Sequence, residues 1–108
     1  MTIEPQDSPA DRRVRVVIDY CDQCGWMLRA TWMAQELLVT FRGLIGEVTL
    51  RPGTGGIFEI RVNDELLWSR RAQGRFPDIT ELKQRVRDRV APGRSLGHVD
   101  RKTTDGDG

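Results

Sequence analysis

Two cysteines separated by two residues are the side chains in this sequence best suited to chemistry. Cys21 and Cys24 form a C-x-x-C motif, and the 108-residue chain contains no other cysteine. Thiols at this spacing can join in a disulfide, supply part of a metal site, or pack as small apolar side chains. Only the thiolate attacks a disulfide, so a working dithiol also needs surroundings that stabilise negative charge on sulfur.

The segments on either side of the motif predict a strand before it and a helix after it. Residues 14–18 are β-branched and mostly apolar, which is typical of a buried central strand, and residues 21–25 form the loop that follows. Residues 26–41 carry apolar side chains at spacings of three and four, which indicates a helix that Gly43 can end. The motif is therefore predicted to lie where a helix begins, and helix N-terminal amides favour a thiolate. Asp19 and Asp22 oppose that effect.

The rest of the chain predicts a strand, a hairpin and a second helix. Asn63-Asp64 can adopt the left-handed conformations of a tight hairpin turn. The predicted elements are strands at residues 45–50, 57–62 and 65–70, and a helix at residues 78–90 capped by Asp78. This order predicts an α/β, thioredoxin-like fold, β-α-β-β-β-α, with a four-stranded mixed sheet, an antiparallel hairpin and two packed helices.

Composition sets the domain boundaries that we predict. The chain has room for one domain, which we place at residues 14–91. Residues 1–13 are polar and contain proline, and residues 92–108 are polar, glycine-containing and aperiodic. We interpret these two ends as a disordered lead-in and a disordered tail.

Charge and hydropathy argue against several classes of partner. The 17 Lys and Arg residues nearly balance the 16 Asp and Glu residues, which gives a formal charge of +1. We therefore expect no nucleic-acid partner and no membrane partner. The first residues lack the basic and apolar regions of a signal peptide, so we expect a cytoplasmic protein. Thiols are kept reduced in that compartment, and a purely structural disulfide is unusual there.

A redox role is favoured over a metal site or an inert pair of cysteines. A structural zinc site generally has four protein ligands, and one C-x-x-C supplies two. His98 is the one histidine and lies in the predicted tail, so we expect neither a bound metal nor another cofactor. A C-x-x-C between a strand and a helix is the context in which this motif indicates redox chemistry.

Beyond the motif, an ordered set of residues resembles the selenoprotein W, T and H family (the Rdx family), a thioredoxin-like group. The chain is identified as a cysteine-containing homologue of selenoprotein W. The resemblance covers residues 14–90 and rests on Val16-Val17-Ile18-Asp19-Tyr20-Cys21-Asp22-Gln23-Cys24-Gly25-Trp26, on Gly56-Ile57-Phe58-Glu59-Ile60, and on Leu67-Trp68-Ser69-Arg70-Arg71 followed by Gly74-Arg75-Phe76.

The resemblance implies a small oxidoreductase-like protein linked to glutathione or thioredoxin systems and to cell redox homeostasis. The first cysteine attacks in thioredoxins, which corresponds to Cys21. Selenocysteine stands second in the selenium-containing relatives, at the place of Cys24. From helix geometry we expect Cys21, just outside the first turn, to be the more exposed sulfur and to attack, and Cys24 to resolve the mixed disulfide.

Residues near the motif are candidates for substrate binding. Trp26 can cover the sulfurs, although a tryptophan in a small domain is more often a core or rim residue. Thr54, Gly55 and Gly56 occupy the place where thioredoxins have a cis-proline beside the dithiol. These glycines would let a substrate backbone or glutathione approach closely, but a turn that needs positive φ explains them more simply.

Three functions remain open at this point. Thiol–disulfide exchange with a protein substrate or glutathione is the leading one. A redox-sensing binding module would change its affinity for a partner on oxidation without turnover, and a metal-delivery protein would bind copper(I) or zinc through the thiolates. The outer strand of the hairpin is in addition an exposed edge that could pair with a second copy in a homodimer.

Overall fold

The structure, a computed structural model, describes residues 13–97 as a four-stranded sheet with three helices. The elements in chain order are β1 (Val14–Cys21), α1 (Met27–Thr40), β2 (Ile45–Gly53), β3 (Phe58–Val62), β4 (Glu65–Ser69), α2 (Arg70–Gln73) and α3 (Ile79–Val90).

The sheet is mixed and has β1 near its centre. The strand order is β2-β1-β3-β4, with β1 parallel to β2, β3 antiparallel to β1, and β4 antiparallel to β3. The predicted thioredoxin-like α/β fold is confirmed. β2 and β4 are the two edge strands, so the strand that we expect to be available for pairing with a second copy does lie at an edge.

One face of the sheet packs against the two longer helices, and the opposite face carries charges. Val16, Ile18 and Tyr20 alternate along β1 and belong to the same buried cluster as Leu37 of α1 and Leu82 of α3. Burial of such side chains stabilises the fold by roughly 25 cal/mol for each Å² of apolar surface removed from water. On the opposite face, ion pairs join adjacent strands. The core thus holds β1 in place from Val14 to Tyr20.

The hairpin turn adopts the predicted backbone conformation. Asn63 and Asp64 have φ values of 50° and 73°, and Val62 pairs with Glu65 across the two-residue loop. The Asn63 side chain also accepts a hydrogen bond of 3.0 Å from the backbone N–H of Arg15, which ties the turn to β1.

A short helix, α2, follows β4 where the sequence predicts the end of a strand and a loop. The Ser69 hydroxyl accepts a hydrogen bond from the Ala72 N–H and caps this helix, and Gly74 ends it in the left-handed conformation at φ 80°. The serine cap and the glycine stop enclose only four helical residues, too few to show a periodic apolar pattern.

The first two strands are longer than predicted. β1 continues to Cys21 and β2 to Gly53, because the two strands pair in parallel register through Asp19–Arg51, Tyr20–Pro52 and Cys21–Gly53. A proline is tolerated near the end of β2 because this strand lies at an edge of the sheet.

The ends of the chain lie mostly outside the described residues. Residues 1–12 of the predicted lead-in and residues 98–108 of the predicted tail, including His98, are among the residues that the structure does not describe. Within the described part of the tail, Leu96 packs partly buried against the core and the Arg94 carbonyl accepts a hydrogen bond from Arg87. Among residues 13–97, no helix is both long enough and apolar enough to cross a bilayer.

The Asp78 cap of α3 yields a test of the fold. Its carboxylate accepts hydrogen bonds from the Thr80 and Glu81 N–H groups at 3.1 Å and 3.5 Å. Asp78→Ala leaves these donors without their acceptor, and we expect it to lower the free energy of unfolding by about 1 kcal/mol in urea denaturation. Asp78→Asn retains a cap and should remain close to wild type; equal losses in both variants would contradict the capping role.

Candidate functional site

Cys21 is the last residue of β1 and is held there by pairing with β2. It lies beside Gly53, whose carbonyl accepts a 2.9 Å hydrogen bond from the Asp22 N–H immediately after the strand. Its exposed fraction is 1%, although it is not a member of the main apolar cluster. The position of this sulfur is therefore set by the sheet.

Cys24 lies in a tight turn between β1 and α1. The Gly25 N–H donates to the Asp22 carbonyl at 3.0 Å, and the Trp26 N–H donates to the Cys21 carbonyl at 3.4 Å. Gly25 has φ 77° with open space where a Cβ would be, so backbone conformation is the reason for glycine here. The turn brings the Cα atoms of Cys21 and Cys24 to 5.3 Å, and the two sulfurs are joined in a disulfide.

Exposure of the two cysteines is the reverse of the sequence-based expectation. Cys24 is exposed and Cys21 is buried, so the prediction that Cys21 is the more accessible sulfur is wrong. That prediction assumed that Cys21 lies just outside the first turn of the helix. In the structure α1 begins at Met27, and Cys21 belongs to the strand. Of the two cysteines, Cys24 is therefore the one that lies at the surface.

The two carboxylates that flank the motif have different surroundings. Asp19 accepts a 2.8 Å hydrogen bond from Arg51 Nε and a 3.1 Å hydrogen bond from Arg61 Nη1. The hydrogen bond and the charge of Asp19 raise the pKa of Arg51 above its usual value. Asp22 is exposed and lies within the turn. The charge of Asp19 is therefore balanced, whereas Asp22 remains the carboxylate that disfavours a thiolate.

Trp26 is the N-cap residue of α1 and packs into an aromatic cluster. Its ring lies edge-on to Phe58 and Phe76, with centroid separations of 6.3 Å and 4.9 Å. The guanidinium of Arg70 lies 4.9 Å from the Trp26 ring. Trp26 thus joins the turn that carries Cys24 to β3 and to the segment after β4.

The loop of Thr54, Gly55 and Gly56 follows β2 at the same end of the sheet as Cys21. Gly55 and Gly56 have φ values of 74° and 76°, and no atom lies within 4 Å of a Cβ built on either residue. The left-handed backbone accounts for both glycines, as the simpler interpretation of the sequence had it. Arg71 Nη2 donates a 3.0 Å hydrogen bond to the Gly55 carbonyl and ties the loop to α2.

Arginines that are close in sequence near residue 70 have separate roles. Arg75 forms an ion pair with Glu81 at 3.0 Å and stacks on Trp68, whereas Arg70 lies over Trp26 and Phe76. Arg29, which sequence analysis did not select, lies 4.0 Å from the Phe76 ring. Its place in the first turn of α1, just after the motif, is the one signal in the sequence that could have indicated it.

Metal-ligating side chains do not cluster in the described residues. Between residues 13 and 97 there is no group of three His, Cys, Asp or Glu side chains arranged to hold a metal ion.

A strand ending in a C-x-x-C turn, the following helix, and a parallel strand with an antiparallel hairpin define a redox-type thioredoxin-like protein. The profile of the Rdx family matches residues 15–88, and the chain belongs to this family. Together with a cysteine pair at disulfide distance, family membership supports a redox-related role.

Individual relatives are similar over most of the domain. The chain is 30% identical to migration and invasion enhancer 1 from Bos taurus over 95 residues, which is 88% of this chain and 80% of that protein. A crystal structure of a Bordetella parapertussis protein is 56% identical with a TM-score of 0.71, covering 72% of this chain and 99% of the other. That of a selenoprotein W-related protein from Vibrio cholerae is 51% identical with a TM-score of 0.69, covering 70% and 95%.

Different burial of the two cysteine residues predicts different reactivity of their thiols. In the reduced protein we expect iodoacetamide to modify Cys24 at least about ten times faster than Cys21, because reagent access limits alkylation of a buried thiol. Peptide mapping by mass spectrometry at short reaction times measures both rates. Denaturation should equalise them, and faster labelling of Cys21 in the folded protein would contradict the assignment.

The Arg75–Glu81 pair predicts a pH dependence of stability. The hydrogen bond from Arg75 lowers the pKa of Glu81 below its ordinary value of 4.5. A lowered pKa in the folded state stabilises the protein above the ordinary value, and that stabilisation is lost as the pH falls through the lowered pKa. The difference in unfolding free energy between wild type and Glu81→Gln should therefore shrink on acidification, and urea denaturation at several pH values measures it. A difference that does not change with pH would be inconsistent with this linkage.

Proposed function

We propose that the protein catalyses thiol–disulfide exchange, with Cys24 as the attacking cysteine and Cys21 as the resolving cysteine. One observation carries the proposal: Cys24 is exposed, whereas Cys21, to which it is joined by the disulfide, is buried. An attacking sulfur must align with a substrate disulfide, whereas a resolving sulfur needs to reach only its neighbour. Cys24 also occupies the place of selenocysteine in the selenium-containing relatives that the sequence resembles.

The exchange proceeds in two balanced displacements. The Cys24 thiolate attacks one sulfur of the substrate disulfide, forms a mixed disulfide and releases the other substrate sulfur as a thiolate, which takes up a proton. The Cys21 thiolate then attacks Cys24, closes the Cys21–Cys24 disulfide and releases the second substrate thiol. Two electrons pass to the substrate, and an external thiol reductant, such as glutathione or a thioredoxin-type dithiol, must return two electrons to the protein.

The start of α1 supports ionisation of Cys24. No side chain caps the N-terminus of this 14-residue helix, and its first turn contains no acidic residue. The partial positive charge of the helix end is therefore not compensated by a carboxylate of its own first turn, and it favours negative charge in the turn that precedes it.

A redox-sensing binding module is the second candidate function. Next to the exposed cysteine, α1 presents Met27, Leu28 and Trp32 to solvent, with exposed fractions of 50%, 78% and 46%. Exposed apolar side chains grouped beside a reactive centre favour contact with a protein. Turnover separates the two functions, because an exchange catalyst reduces many equivalents of substrate whereas a sensor changes affinity once for each oxidation.

The proposed function also bears on where the protein acts and on how two copies could associate. A dithiol that cycles with glutathione or thioredoxin systems requires a reducing compartment, and we assign the protein to the cytoplasm on that basis. The backbone of β4, at the edge of the sheet, offers unpaired groups through which a second copy could add a strand.

Single cysteine variants test the order of attack. We expect Cys21→Ser to accumulate a stable mixed disulfide with a peptide disulfide, because Cys24 still attacks but no neighbouring thiolate resolves the product. Intact-mass spectrometry before and after addition of dithiothreitol detects the adduct. Wild type should release the peptide and show the internal disulfide instead.

Cys24→Ser is the matched control. It retains the buried cysteine only, and its adduct should form at least about tenfold more slowly. Adduct formation by Cys24→Ser alone would reverse the roles of the two cysteines. No adduct with either variant, together with no turnover by wild type, would rule out exchange and leave the sensor.

A further inference from the structure

Guanidinium groups without carboxylate partners lie at the end of the sheet that carries the cysteine pair. Arg29 belongs to the first turn of α1, and Arg70 begins α2 directly after β4. Neither forms an ion pair with any carboxylate in residues 13–97, whereas Arg51, Arg61 and Arg75 each do. Two guanidiniums without carboxylate partners therefore lie at the end of the sheet where the cysteine pair is found.

Aromatic rings hold these two guanidiniums in fixed places. The Cζ atom of Arg29 lies 4.0 Å from the centroid of Phe76, and that of Arg70 lies 4.9 Å from Trp26 and 5.2 Å from Phe76. Phe76 is thus shared by both arginines. Stacking engages the faces of guanidinium groups and leaves their N–H edges available to an anion.

Arg70 also carries an unsatisfied donor. Its Nε is buried and has no hydrogen-bond partner, which is the one such side-chain atom among the described residues. A buried cationic donor is costly to leave unpaired, and a carboxylate is the acceptor that suits a guanidinium best. The terminal nitrogens of Arg70 are not among the buried atoms without a partner, so a carboxylate would meet the guanidinium there and lower the cost of the unpaired charge.

Two connections link α2 to the segments that carry the cysteines. Arg70 stacks on Trp26, which follows Cys24 by two residues and donates its N–H to the Cys21 carbonyl. Arg71, the next residue of α2, hydrogen-bonds to Gly55, in the loop after the strand that pairs with Cys21. Asp22, in the turn itself, is exposed and would repel an anion that approached from its side.

We propose that Arg29 and Arg70 form a carboxylate-binding site that selects polypeptide disulfides with an acidic residue close to the substrate cysteine. Trp26 follows Cys24 by two positions, and an acidic residue about two positions from the substrate cysteine spans a comparable path of about 7 Å when the chain is extended. Exposed Leu28 beside Arg29 adds apolar contact surface for such a segment. This inference rests on the proposed exchange function and names its substrate class.

Matched peptide disulfides test the selectivity. Peptides that differ only in Glu, Gln or Lys two positions from the cysteine are mixed with the reduced full-length protein, and the second-order rate constant of reduction is measured. We expect the Glu peptide to react about tenfold faster than the Gln peptide and the Lys peptide to react most slowly, as for a charge-assisted hydrogen bond. Raised salt should reduce the difference. Equal rates, or a faster Lys peptide, would overturn the inference.

Arginine variants locate the site. Arg29→Gln and Arg70→Gln should each reduce the ratio of the rate with the Glu peptide to the rate with the Gln peptide. Arg42→Gln is the control, because this exposed arginine follows the opposite end of α1 and should preserve the ratio. Circular dichroism checks folding, and Arg29→Gln, at an exposed position, keeps the test valid if Arg70→Gln is unstable. A ratio that survives in both variants would refute the site.

Two further experiments ask whether the anionic substrate is a polypeptide or glutathione, and whether the site binds carboxylates independently of thiol exchange. Oxidised glutathione carries carboxylates but is not a polypeptide substrate of the proposed kind. If the protein reduces it faster than all three peptides, and the Glu, Gln and Lys peptides react at equal rates, the assignment of a polypeptide substrate is overturned. Peptides with Ser in place of Cys report binding to the oxidised protein by calorimetry. Tighter binding of the Glu than of the Gln form would support the site even if no exchange occurred, which would refute the proposed function alone; equal binding would refute the site.

Discussion

Pairing of β1 on both sides is the constraint on which the rest of the structure depends. β2 pairs with this strand along its whole length to Cys21, and β3 pairs with it through Tyr20. Because the ladder with β2 continues to the last residue, Cys21 cannot leave the sheet, and the chain must turn within the next few residues to begin α1. The sheet therefore fixes the position of Cys21, and the turn before α1 fixes that of Cys24.

Elements with clear periodicity or turn chemistry could be predicted from the sequence. The alternation of Phe58, Ile60 and Val62, and the left-handed turn at Asn63 and Asp64, depend on neighbours along the chain, and both occur as expected. The exposure of the cysteines depends on how far β1 pairs with β2. That length is decided by contacts between segments about thirty residues apart, across Pro52, a residue that usually argues against a strand.

The directions of the arginine side chains could not be predicted from the sequence. Arg70 and Arg71 are adjacent, yet neighbouring residues of a helical turn point in different directions. One stacks on Trp26 and the other reaches Gly55. Arg29 shares the Phe76 ring with Arg70, although Arg29 is far from both residues in sequence. Sequence identifies the charges, but only the tertiary structure shows which of them have carboxylate partners.

Gly25 has a further consequence for the two oxidation states. It stands at φ 77° in an exposed turn whose regular contacts are a few backbone hydrogen bonds, while Cys21 is buried in the sheet. Breaking the sulfur–sulfur bond removes the covalent closure of this small ring, so the gain in conformational entropy is confined to its few residues. Closing or opening this bond would therefore alter the freedom of the turn, while Cys21 remains paired with β2.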